Sequence, residues 1–171
     1  MKSRLDELNE WREKFDTNKI EAKDWAKLRE HAEMQWNELE DDHRRFKSTM
    51  NQTALFASSI TTAALGIAKL SGSHVTCAIA FAATFGLAAA AIAFWLSGTH
   101  KFPTRHRTDS LADEISKGRN ADEWIALGAS RGVAIGRDKL ASLNKSSRAV
   151  QVLVVLALIC IAIEVIITAF R

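Results

Sequence analysis

The residue with the most chemical potential is a carboxylate in an apolar setting. Glu164 is the one formal charge in residues 149–170, where Val, Leu and Ile fill most positions. It shares a helical stripe with Ala157, Cys160 and Thr168, all small or polar. An ionisable group inside a membrane span costs on the order of 3 kcal/mol on insertion scales and faces protein or water, not lipid. Two chemistries follow. Glu164 can form an interhelical ion pair, or it can line a pore or proton path. Its candidate partners are Lys69, the only formal charge in residues 53–97, and His74 just beyond it.

Other reactive residue types do not assemble into a site. Cys77 and Cys160 both fall in apolar runs, so a disulfide framework is not expected and two packed free thiols are. His31 and His43 are twelve residues apart with no Cys or further His at metal-ligand spacing. Gly128, Gly132 and Gly136 recur every four residues, but no GKS or GKT follows, so a phosphate loop is excluded. Arg131 and Arg137 flank these glycines and could receive an anionic ligand, although exposed charge is the commoner explanation. There is no nucleophile–base pair, metal cluster or nucleotide fingerprint. The expectation is a protein that is not an enzyme, with no catalytic or metal-binding residues and no cofactor.

The elements that must position Glu164 are helices. Among 171 residues there is one Pro, and the apolar and charged residues occupy separate blocks. Residues 53–70 and 75–96 are two apolar runs joined by Ser71-Gly72-Ser73-His74, and 149–170 is a third. Each run approaches the ~20 residues that cross a ~30 Å hydrocarbon layer. In lipid, backbone groups must be paired internally, which favours helices. The ~10-residue alternating strands of a barrel are not visible. The predicted fold is an all-α integral membrane protein with three transmembrane helices, a tight two-span hairpin plus a C-terminal span. Long cytoplasmic helices pack as a helical stalk. The corresponding segments are 1–50 (charged helices), 51–97 (hairpin), 98–148 (cytoplasmic loop and helix) and 149–171 (third span).

Within this layout, residues 3–15 place Leu5, Leu8, Trp11 and Phe15 on one side of a short helix. Asn18 and Glu21 have capping-box spacing for a long helix starting at Lys19. In that helix Trp25, Ala32, Leu39 and Phe46 recur every seven residues, beside Arg29, Trp36, His43 and Met50. Helical spacing makes the tryptophans core residues, not a stacking site. No Gly or Pro interrupts residues 19–65, so this helix runs on into the first span. A short helix is expected around 110–117, broken at Gly118-Arg119. Asn120 and Glu123 then open a helix from Ala121 into the third span.

Small residues set the predicted packing. Gly128, Gly132 and Gly136 should be offset by close contact with the 19–50 helix, because each Gly weakens a soluble helix by ~1 kcal/mol relative to Ala. In the hairpin, Ala54, Ser58, Thr62 and Gly66 form one four-residue row, and Ala78, Ala82, Gly86 and Ala90 another. Such rows allow close helix approach in lipid, within one subunit or between subunits. Phe94 and Trp95 stand where an aromatic belt would lie.

Orientation follows from the cations. Arg44, Arg45 and Lys47 precede the first run; Lys101, Arg105 and Arg107 follow the second; Lys145 and Arg148 precede the third. The other side has Lys69 and Arg171. The positive-inside rule then places the N-terminus and residues 98–148 in the cytoplasm, with the hairpin tip and C-terminus outside. Residues 1–50 have no early apolar core, so a signal peptide is not expected. A net charge of +3 is too mild to indicate nucleic acid.

The layout of residues 25–170 resembles the SLATT-type membrane effectors of bacterial defence systems. A charged helix enters a close two-span hairpin through LREHAEMQWNELEDDHRRFKSTMNQTALFASSITTAALGIAKL. The later helix, ADEWIALGASRGVAIGRDKLASLNKSSRAVQ, runs into another span and is similar in layout to the Pycsar transmembrane effectors. The resemblance implies a small homo-oligomeric, pore-forming effector of the bacterial inner membrane in antiviral defence. It would perturb or permeabilise the bilayer when a soluble sensor protein or a signalling nucleotide acts on its cytoplasmic helices. A non-pore anchor or scaffold, and a channel or transporter subunit, remain the alternatives.

Overall fold

The computed structural model describes residues 20–70, 76–98, 118 and 120–170. The described chain is all-helical and contains three helices: α1 (Ala22–Leu70), α2 (Cys77–Gly98) and α3 (Ala121–Ala169). The expected 3–15 and 110–117 helices, the hairpin tip with His74, and the basic residues Lys101, Arg105, Arg107 and Arg171 lie outside the described residues.

Helix starts follow local chemistry. Glu21 caps α1 through its carbonyl, which accepts the N–H groups of Asp24 (2.9 Å) and Trp25 (3.4 Å). The helix therefore begins three residues later than the Asn18–Glu21 spacing predicts. Asn120 caps α3 as its residue type suggests: Oδ1 accepts Asp122 N–H at 3.0 Å and the carbonyl accepts Trp124 N–H at 3.2 Å. Gly118, two residues earlier, has φ of 77°, a left-handed conformation that favours glycine and marks the break before α3.

The chain divides into two compact units. Unit 1 combines Met1–His43 with Lys101–Leu140, and unit 2 combines Arg44–His100 with Ala141–Arg171. In unit 1, Trp25, Ala32, Trp36, Leu39 and His43 of α1 are buried, which is the predicted seven-residue pattern. Trp124, Ala126, Leu127 and Val133 of α3 are buried as well. Trp25 clusters with Ala126 and Leu127, and Ile20 packs against them.

Small side chains are frequent in the core of unit 2, beside Ile79, Leu96 and Val150. Ala57, Ala64, Ala82, Ala89, Ala93 and Ala157 are fully buried. Along α2 the buried positions are Ile79, Ala82, Gly86, Ala89, Ala93, Leu96 and Ser97, the first six alternating three and four residues apart. This replaces the expected four-residue row: Ala82 and Gly86 are in it, whereas Ala78 and Ala90 are only half-buried. In the unit 2 part of α1 the buried set is Phe46, Met50, Ala54, Ala57, Ile60, Ala64 and Ala68, and Ser58, Thr62 and Gly66 are exposed. A strict four-residue row drifts round a 3.6-residue helix, so three-four alternation holds a seam better.

Helices α2 and α3 are each long and apolar enough to cross a membrane. The 53–70 half of α1 is more mixed, with Ser58, Ser59, Thr61 and Thr62 among its apolar residues. Each of these four hydroxyls donates to the carbonyl four residues earlier, at 2.8–3.1 Å. Their polarity is thereby satisfied inside the helix.

Candidate functional site

Thr76 and Glu164 form the polar centre of unit 2. Thr76 precedes α2, and its Oγ1 accepts the Ile79 N–H at 3.4 Å, as a helix-capping hydroxyl does. The same hydroxyl donates to Glu164 Oε2 at 2.5 Å, joining residues 88 apart in sequence. Glu164 is only 3 % exposed. Its main-chain carbonyl also accepts the Thr168 hydroxyl at 2.8 Å. Ala64, Ala68, Ile79 and Ala82 form an apolar cluster in the same unit, with Cys160 and Ile161 packed against it. Cys160 is one helical turn before Glu164, so the carboxylate emerges from an apolar surround.

The arrangement places a carboxylate beside the N-terminus of α2. The partial positive charge of that terminus favours an anion, and the capping hydroxyl links the two. Chemically, the pair can fasten α3 to the start of α2, or it can hold a proton-accepting oxygen where little water reaches. The expected Glu164–Lys69 ion pair does not form: Lys69 is exposed, and among the described residues Thr76 is the side chain that meets the Glu164 carboxylate. A long, flexible Lys at a helix end reaches solvent more cheaply than it enters an apolar core. His74 lies outside the described residues. Sequence inspection missed Thr76, although a Thr directly before an apolar helix is a recognisable cap.

The glycines divide by environment. A Cβ on Gly132 would overlap the Trp36 ring, so the bare backbone of α3 lies against that indole. Gly128 and Gly136 are buried. A Cβ on Gly86 would sit 2.5 Å from Thr61 Oγ1 and 3.1 Å from the Ala57 carbonyl, a backbone-to-backbone approach of α1 and α2. Gly66 packs against nothing: no atom lies within 4 Å of its Cβ position. Its assignment as a packing residue is therefore corrected for a single chain, because the α1 seam runs through Ala64 and Ala68 instead.

In unit 1 an ion pair joins α1 to α3. Arg29 Nη1 lies 2.6 Å from Asp122 Oδ1, with both side chains partly exposed. Arg29 belongs to the predicted inner row, and its half-buried position suits a long side chain with a charged end. His31 is exposed, with Nε2 3.0 Å from Gln35 Nε2, an ordinary contact one turn along a helix.

Fold and site together define an all-helical protein with two helices long and apolar enough to cross a membrane. Compared with protein-family models, curated proteins and solved structures, the chain matches none.

Proposed function

We propose that the chain is a three-span integral membrane protein of the bacterial inner membrane that acts as a homo-oligomeric effector, perturbing the bilayer on a signal received by its cytoplasmic helices. The observation that carries the membrane part is the surface of unit 2. Leu55, Phe56, Leu65, Phe81, Leu87 and Phe94 are all exposed, as are Val155, Ile159, Ile163 and Ile166 of α3. An apolar surface of that extent is untenable in water and suits lipid. The internally bonded hydroxyls of residues 58–62 support a first span in α1, since lipid supplies no partner for them. The cation distribution supports a cytoplasmic N-terminus and 98–148 segment.

The effector part rests on the resemblance to SLATT-type and Pycsar effectors. The close Ala and Gly contacts in unit 2 support action through assembly, because they leave little room for a path through one copy. An anchor for a soluble partner is the second reading, favoured by the Thr76–Glu164 bond, which serves as a fastening without any conduction.

Topology and activity are separable experimentally. In a Cys77→Ser, Cys160→Ser background, a cysteine at Gly72 is labelled by an impermeant reagent on intact cells and one at Ser110 is not. Equal labelling overturns the orientation. Expression of the full chain depolarises cells carrying a potential-sensitive dye. Correct labelling without depolarisation, under activating and non-activating conditions alike, favours the anchor.

A further inference from the structure

We infer that unit 2 contains a binding site for an anionic phospholipid, an inference that rests on the membrane reading above. An open cleft of about 330 Å³ lies between α1 and α3, lined by Thr49, Gln52, Thr53, Phe56, Gln151 and Val154. Its lining changes character along its length. Thr49, Gln52 and Gln151 offer a hydroxyl and two amides, which suit ester and glycerol oxygens. Phe56 and Val154 offer an apolar floor, which suits the start of an acyl chain. These residues straddle the points where the apolar runs 53–70 and 149–170 begin, the depth at which a headgroup meets hydrocarbon.

Cations complete the polar end. Arg45 precedes Thr49 by four residues and Gln52 by seven, so it shares their face of α1. Arg148 precedes Gln151 by three on α3. Both arginines are exposed, and neither is ion-paired among the described residues. On α3 the nearest carboxylate toward the apolar end is Glu164, more than three turns from Arg148, and on α1 Asp41 and Asp42 lie one turn before Arg45, on the side of it away from the cleft. The cleft end thus carries two exposed arginines and is contiguous with exposed apolar side chains. A lipid phosphate with one attached chain satisfies both halves; a free phosphate satisfies only the first. Arginine forks are suited to phosphate oxygens.

The test uses the full chain purified in detergent, titrated with phosphatidylglycerol and phosphatidylcholine of matched chains and followed by native mass spectrometry. The wild-type protein retains phosphatidylglycerol preferentially. The Arg45→Gln, Arg148→Gln double variant loses about thirtyfold of that preference, near fivefold for each cation at a membrane surface. Lys47→Gln with Lys145→Gln removes the same charge from other positions on the helices and leaves most of the preference. Equal losses in the two double variants overturn the site in favour of diffuse surface charge. Displacement of the lipid by inorganic phosphate overturns the lipid assignment in favour of a free anion. Carbonate extraction of cell membranes distinguishes the two failures: a chain released by carbonate overturns the membrane reading and this site with it. A chain retained by the membrane but without lipid preference overturns the site alone.

Discussion

Units 1 and 2 are built on opposite principles from the same two long helices. In unit 1 the inside is large and aromatic, with Trp25, Trp36 and Trp124 buried, and the outside is charged. In unit 2 alanine and glycine fill much of the inside, with no aromatic larger than Phe46 and with Ile79, Leu96 and Val150 as the largest fully buried side chains, while most Leu, Phe and Ile face outward. On the membrane reading proposed above, the contrast follows from the solvent each surface meets. Water drives large apolar side chains inward in proportion to their area. Lipid exerts no such force between helices, and small residues that let backbones approach become the better interior. Glycine has a different neighbour in each setting: Gly132 admits a tryptophan ring, and Gly86 admits a backbone.

The largest expected effect tests the first interior. Gly132→Leu places a branched side chain where the Trp36 indole already lies and should destabilise unit 1 by about 3 kcal/mol, the upper range for overpacking. Limited proteolysis should show faster cleavage within residues 20–43 and 120–140, with membrane insertion intact. An unchanged cleavage pattern would show that α3 does not need this close approach. Gly132→Ala should also weaken unit 1, despite the better helix propensity of Ala, because even one methyl meets the ring.

Next in size is the polar fastening of unit 2. Thr76→Val removes the donor to Glu164 and the cap of α2, at a cost of roughly 2 kcal/mol for a hydrogen bond to a charged group. Thermal unfolding of the detergent-solubilised chain measures this. Adding Glu164→Leu should recover part of the loss, a non-additive cycle. Strict additivity would mean that the two residues act independently.

Gly86→Ala probes the alanine seam and should cost about 1 kcal/mol, since Thr61 must rotate away from the new methyl. The same thermal measurement should leave Gly66→Ala neutral or slightly stabilised by helix propensity. Reversed ranks for these two glycines would place the seam on the other face of α1. The smallest effect is Lys69→Gln, which should leave thermal stability unchanged because this exposed Lys has no bond to Glu164. A loss comparable to that of Thr76→Val would restore the ion pair.

These substitutions mark how far inspection of the chain could reach. The seven-residue recurrence from Trp25 to Met50 identified the buried face of α1, because bulky residues on an otherwise charged helix single out one side. The three apolar runs and the cap at Asn120 were equally visible. The alanine-rich stretches were not: with small residues on several faces, Ser58 and Thr62 looked as suitable for packing as Ala57 and Ala64. For Glu164 the unusual residue was plain, but its partner was not. Thr76 is 88 residues away, and charge alone pointed to Lys69.

Sequence by itself determined where helices form, where charged and apolar stretches alternate, and that a carboxylate sits within an apolar run. Those properties depend on local hydrogen bonding, side-chain transfer energies and a period of 3.6 residues, all contained in neighbouring positions. Tertiary structure alone decided which alanine faces meet, which glycines are needed, and which hydroxyl reaches Glu164. Each depends on the rotation and register of one helix against another, where several arrangements bury similar apolar area and differ only in how closely their backbones approach.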